Sequence, residues 1–160
     1  MPIQLAKAKH AAEISLVQRR SWQHVYNKKV TQAMFKQLPE VLHHRLWSQR
    51  LISPSYTTWV LARPNVQGFV MLDQQVEGVE LTALYLDPQA MGKGWGRALF
   101  ESASQSAKMS FATRLHCWVM EDNQHAQGFY RHLGFKFTGE QRELEFSGSP
   151  FIQKKAELVC

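Results

Sequence analysis

The stretch LYLDPQAMGKGWGRAL, residues 84–99, places Gly92, Gly94 and Gly96 at alternate positions between a strand-like start and a helical pattern. An ordinary strand-to-helix turn needs one glycine. Three of them strip side chains from the first turn of the helix, where successive backbone N–H groups meet the positive end of the helix dipole and make an anion site. A dinucleotide fingerprint needs G-x-G-x-x-G, whereas the spacing here is G-x-G-x-G, and Glu121, the nearest candidate for its acidic partner, comes too late. A P-loop needs Ser or Thr after Gly-Lys, but Gly92-Lys93 is followed by Gly94. Two readings stay open at this point. The loop is a phosphate cradle with Lys93 and Arg97 at its rim, or the glycines serve only close helix–strand packing.

Working outward, VELTALYLD (79–87) reads as a strand, closed by Asp87-Pro88 because proline cannot continue a ladder and restrains the residue before it. Downstream, Trp95, Leu99, Ala103 and Ala107 recur every four residues, which predicts a helix from Gly92 to about Ser110. IQLAKA (3–8) is a short first strand. HAAEISLVQRRSWQHVY (10–26) is a helix, and TQAMFKQLPEVLHHRLWSQRL (31–51) is more helix, interrupted at Pro39. YTTWVLA and VQGFVMLDQQ form a hairpin across Arg63-Pro64-Asn65. RLHCWVM is a strand, NQHAQGFYRHLGF a short helix opened by Asn123 and closed by Gly134, and QRELEF and FIQKKAELV are strands around SGSP. The result is a mixed α/β (α+β) domain spanning residues 1–160, with about seven strands in a central sheet and helices on its faces.

The chain has 160 residues, 44% hydrophobic and 20% charged, a globular balance long enough for a proper core. It has no apolar run of membrane-spanning length and no signal-peptide core at its start, so a cytoplasmic protein without a membrane partner is expected. Cys117 and Cys160 stand far apart, which argues against a zinc ribbon or a disulfide framework; a buried thiol and an exposed one are expected. No metal site is expected. The net charge of +6 suits an anionic partner, yet the basic residues are scattered rather than gathered into a stripe, so nucleic acid is not favoured.

The loop at 91–97 resembles the acetyl-CoA pyrophosphate loop of the GNAT superfamily of N-acetyltransferases, Q/R-x-x-G-x-G/A after a strand. Gly94 and Gly96 match its glycines, while Met91 replaces the Gln or Arg of the first position. A second segment agrees: NQHAQGFYRHLGF matches N-x-x-A-x-x-F-Y-x-x-x-G-F through Asn123, Ala126, Phe129, Tyr130, Gly134 and Phe135. The resemblance covers residues 79 to the end with motif support, and before that only the element order fits.

The resemblance implies the GNAT-like acyl-CoA N-acyltransferase fold and direct attack of an amine on acetyl-CoA, without an acyl-enzyme. It implies a donor site made of Leu84, Tyr85 and Leu86 on a splayed strand, the loop Met91, Gly92, Lys93, Gly94, Trp95, Gly96 and Arg97, and Asn123 and Tyr130. A backbone N–H near Leu84–Leu86 would stabilise the developing oxyanion. An alkyl ammonium with a pKa near ~10 must lose a proton before it attacks. Glu80, four residues before Leu84 and on its face by strict alternation, is the candidate base; its alternative role is a solvated charge at the strand's start. Tyr130 is the candidate acid for the thiolate, or else a packed aromatic. Asn123 reads equally well as a helix N-cap. Trp22 and Tyr26 are candidate acceptor-pocket residues, with core packing as the competing role. His43-His44 and His116-Cys117 are adjacent, so their side chains diverge.

The resemblance implies an acceptor that is a primary amine of a small molecule or peptide, with polyamines mildly disfavoured by net charge, and a homodimer stays open. Met91 motivates the competing reading, a non-catalytic acetyl-CoA-binding sensor.

Overall fold

The computed structural model describes residues 2–76, 78–109, 114–146 and 148–159. Seven strands, β1 (Ile3–Leu5), β2 (Tyr56–Ala62), β3 (Val66–Gln75), β4 (Gly78–Leu86), β5 (Arg114–Met120), β6 (Lys136–Phe146) and β7 (Ser149–Val159), form one sheet in the order β1-β2-β3-β4-β5-β7-β6. The helices are α1 (Ala11–Val25), α2 (Lys28–Gln37), α3 (Glu40–Ile52), α4 (Trp95–Met109) and α5 (Gln124–His132). Neighbouring strands run antiparallel except β4 and β5, whose parallel pairing requires the crossover that α4 supplies.

Period-two alternation divides the sheet into two buried faces. Val70, Leu72, Val79, Leu81, Leu115 and Cys117 pack with Leu99 and Ala103 of α4 on one. On the other, Val60, Phe69, Met71 and Ala83 pack with Ile14 and Val17 of α1 and Trp47 of α3. Trp47 and Phe69 are fully buried and meet edge to face, centroids 4.9 Å apart, a favoured quadrupole arrangement. Further along that second face, Trp22 of α1, Tyr26 just after it, and Val30 and Met34 of α2 cover Met120 of β5.

Pro39 separates α2 from α3, as its missing N–H and fixed φ require. Helix α4 starts at Trp95, not Gly92: Gly92 and Gly94 have φ of 74° and 85°, which no right-handed helix accepts. Strand β1 stops at Leu5, and β6 begins at Lys136, five residues ahead of QRELEF, because Lys136 and Phe137 pair with Glu157 and Ala156 of β7. The expected helix end at Ser110, Ser147 of the expected turn and Cys160 lie outside the described residues. Cys117 is a buried free thiol, its pKa pushed up to about 12, chiefly by burial.

One irregularity bears on the site. Met71 of β3 pairs with Ala83 and Leu72 with Leu81, so Thr82 is an extra residue in β4. Its hydroxyl donates to the Met71 carbonyl at 3.2 Å. Beyond this bulge the alternation is inverted. Val79 and Leu81 share a face with Leu84 and Leu86, and Ala83 and Tyr85 take the other.

Candidate active site

Among the described residues, strands β4 and β5 pair at two positions, Val79 with Leu115 and Glu80 with His116, and then part. The opening holds a cleft. Leu84, Tyr85, Leu86, Met91 and Gly96 line one wall, Asn123 and Tyr130 the other, and Trp22 of α1 and the capping Tyr26 close it. Asp87 N–H donates to the Gln67 carbonyl of β3 at 2.7 Å, so by alternation the amides of Leu86 and Leu84 are directed to the open side.

The glycine loop enters this cleft from the end of β4. Asp87 anchors it, accepting Gln89 N–H at 3.2 Å on Oδ1 and Arg20 Nε of α1 at 2.6 Å on Oδ2. The first bond of α4 runs from Ala98 N–H to the Gly94 carbonyl at 3.2 Å, so the amides of Trp95, Gly96 and Arg97 precede the helical ladder. The two readings left open for the glycines divide among them. A Cβ at Gly92 or Gly94 would meet nothing within 4 Å, and their positive φ is what excludes other residues. A Cβ at Gly96 would lie 3.2 Å from the Phe129 ring, so this glycine allows α4 to approach α5 closely. A bare amide-rich loop beside an open cleft fits a pyrophosphate.

The other loop residues have varied places. Trp95 turns away from the cleft, packing on the core beneath the Arg63 guanidinium at 4.8 Å. Arg97 is exposed and near Glu101, 3.9 Å away. Lys93 is exposed, and Met91 lines the cleft with a thioether where the motif has a polar group.

A throat continues from the cleft between the parted strands. It passes from one sheet face to the other: Leu84 and Tyr130 belong to the α4 side, and Trp118 and Gln153 to the opposite side. Tyr130 is buried, its ring edge-on to Phe129 and Phe135 at 5.4 and 5.3 Å. Burial above all holds its phenol well above the ordinary tyrosine range, and its hydroxyl has no hydrogen-bond partner among the described residues. Asn123 is an N-cap, its Oδ1 accepting Ala126 N–H at 3.0 Å, and its Nδ2 donates to the Tyr26 hydroxyl at 3.3 Å. Burial foremost raises the Tyr26 pKa too.

Glu80 is not gathered with these groups. Because of the Thr82 bulge it stands on the face opposite Leu84, contrary to the strict-alternation expectation. Its Oε1 accepts Gln75 Nε2 at 2.8 Å and lies 3.7 Å from His116 Nε2. That pair marks the last rung before the strands part, on the face where the throat emerges.

The sequence reading took His43 only as half of a diverging His43-His44 pair and gave it no buried role. His43 is fully buried and stacked on Trp22, centroids 5.3 Å apart. Arg19 donates to its Nδ1 at 3.3 Å, so Nε2 carries the proton and donates to Gln18 Oε1 at 2.7 Å, which also accepts Trp47 Nε1 at 3.0 Å. Burial, then Arg19 and Arg50, push the His43 pKa down to about 4. This network, with its imidazole neutral, props the wall of the cleft that Trp22 forms. Trp118, Gln153 and Arg142, described below, went unnoticed. Their signal was the alternation of RLHCWVM against the two last strands, legible only once those strands are known to pair.

Comparison with known proteins agrees with this fold. Residues 16–135 match the Acetyltransferase (GNAT) family. The chain is 36% identical over 104 residues to a protein of Escherichia coli (strain K12) named peptidyl-lysine N-acetyltransferase YjaB, covering 64% of each chain. It is 31% identical over 78 residues to the spermine/spermidine N(1)-acetyltransferase of Bacillus subtilis (strain 168), covering 48% of this chain and 49% of that one. The matches thus span less than two thirds of either relative. In fold, the chain superimposes on the PaiA N-acetyltransferase of Thermoplasma acidophilum, solved in complex with coenzyme A, with a TM-score of 0.74 over the whole of both chains at 21% identity.

Proposed function

The chain belongs to the GNAT family of acetyltransferases, and on that premise we propose that it transfers the acetyl group of acetyl-CoA to a primary amine. The observation that carries this reading is the two-rung pairing of β4 and β5, which leaves a cleft joined to a throat through the sheet. Two different reactants need separate entrances that meet at one point, and this opening supplies them. The relatives' names, a peptidyl-lysine and a polyamine acetyltransferase, both describe primary-amine acceptors and support the amine class.

Bound acetyl-CoA supplies an acetyl thioester, whose C–S bond is exchanged for a C–N bond with release of the CoA thiol. The chain's own residues do the rest. The amides from Gly92 to Arg97 bind the pyrophosphate at the start of α4. The open-side amides of Leu84 and Leu86 orient the donor's arm as an added strand would be held, and one of them faces the acetyl oxygen. Tyr130, kept protonated by burial, holds a proton for the sulfur. Glu80 takes the ammonium proton from the far face, at the mouth of the throat, through an intervening water where the distance requires one. Trp22 and Tyr26 exclude water from the cleft.

The test is an acceptor screen with mass analysis of products, run beside a measurement of CoA affinity. Acetylated amine with equimolar thiol release supports the transferase. Micromolar CoA binding without thiol release from any amine would leave a sensor instead.

A further inference from the structure

The face on which the throat emerges carries a cation without an acidic partner. Arg142 of β6 pairs in register with Gln153 of β7, which pairs with Met120 of β5, so its side chain shares the face of His116 and Trp118. Its Nε donates to Gln153 Oε1 at 2.7 Å, and its guanidinium carbon lies 4.3 Å from the centre of the Trp118 ring. Gln153 and Trp118 both line the throat. The guanidinium is therefore held in position at the exit by a hydrogen bond along one edge and an aromatic plane beneath it.

Its other donors are free. Among the described residues no carboxylate comes within 4 Å of Arg142, and neither Nη group has a hydrogen-bond partner. The neighbouring cation behaves differently: Lys155 is occupied by Glu140 at 3.3 Å and Glu157 at 3.5 Å. Glu80 is the carboxylate close enough to act on Arg142 electrostatically, which sets the fork and the candidate base on the same approach. A guanidinium held by Nε and by its ring face presents its Nη edge as a two-point acceptor site for the planar pair of oxygens in a carboxylate.

The geometry points to an acceptor that carries a carboxylate beside its primary amine, an amino acid or a compound built like one. Arg142 holds the carboxylate at the exit of the throat while the amine enters towards Tyr130, with Glu80 alongside. A polyamine brings no carboxylate for the Arg142 fork to hold. This inference rests on the transferase reading and names its substrate class.

The test compares matched acceptors: a set of L-amino acids, their carboxamides and their decarboxylated amines, with spermidine added, each assayed for thiol release. For at least one side chain in the set, the free carboxylate should raise kcat/KM tenfold or more over its carboxamide. In Arg142→Gln that ratio should fall towards one, mainly through KM, and Arg142→Lys should restore part of it. Arg142 is exposed, so the variant should keep its fold, which its melting temperature checks. Calorimetric titration with the N-acetyl amino acid product gives a readout independent of turnover, and Arg142→Gln should weaken that binding about tenfold. Equal rates for carboxylates and carboxamides, a preference for spermidine, or an undiminished carboxylate preference in Arg142→Gln overturns the inference while leaving the transferase standing. Turnover of no amine at all overturns both.

Discussion

Glu80 and His116 face each other at 3.7 Å across the last paired rung of β4 and β5. Immediately beyond them the parallel ladder stops and the strands diverge. The carboxylate thus stands at the fork of the sheet, on the face away from α4, where an amine would approach a donor held on the other side.

This placement predicts the behaviour of Glu80→Gln. A base is needed only while the acceptor is protonated, so the loss in kcat/KM should be about 100-fold near neutral pH, the lower range for general-base catalysis. The gap should close as pH nears the pKa of the amine. Parallel pH–rate profiles for the wild type and the variant would remove Glu80 from the role. His116→Gln, assayed alongside, shows whether the imidazole across the rung shares the proton.

Tyr130→Phe deletes one oxygen from a ring packed between Phe129 and Phe135. The fold should persist, and kcat should fall about tenfold, a modest effect because a thiolate already leaves readily. Because the phenol's pKa is raised, the group stays protonated throughout the working range and contributes no alkaline limb below pH ~10. An undiminished kcat at saturating acetyl-CoA would reduce Tyr130 to packing.

Gly94 separates conformation from ligand contact. Gly94→Ala has room for its methyl group but keeps the φ of 85°, so it should cost about 1 kcal/mol of stability, read from denaturant unfolding. Gly94→Glu adds bulk and negative charge at the cradle and should abolish CoA binding by calorimetry. Retention of affinity in Gly94→Glu would mean that the loop does not hold the pyrophosphate.

His43 predicts an acid-sensitive core. Its folded pKa is lowered from 6.5 to about 4, so the unfolded chain binds the proton more readily. Its neutral form therefore contributes full stability above pH 6.5, and that contribution is lost as pH falls towards 4. The loss should amount to about 3 kcal/mol. His43→Gln should be less stable at pH 7 yet show a flatter decline between pH 6.5 and 4.5, measured by urea unfolding. An equally steep decline in the variant would assign the acid sensitivity to other groups.

Elements whose cause lies within a few neighbouring residues were open to direct reading from the chain. Asn123 caps α5 and Gly134 ends it, Pro39 divides α2 from α3, and Asp87-Pro88 closes β4, because capping and proline sterics act within one turn of backbone. The cradle was legible for the same reason: Gly92 and Gly94 are chosen by their own φ. What local spacing misplaced was Glu80. Alternation put it on the face of Leu84, but Thr82 bulges where β4 pairs with Met71 and Leu72 of β3. A bulge is a property of two strands in register, and β4 alone does not encode it.

The sequence by itself determined the family, the glycine loop and the order of the elements, since these rest on contiguous motifs and on hydrophobic period. Only the tertiary structure decided which groups stand together. It set Glu80 beside His116, stood Arg142 over Trp118, and buried His43 against Gln18. Those pairs lie 36, 24 and 25 residues apart in the chain, on elements that sheet pairing and helix packing bring together. Their chemistry depends on distance and burial, which are properties of the fold.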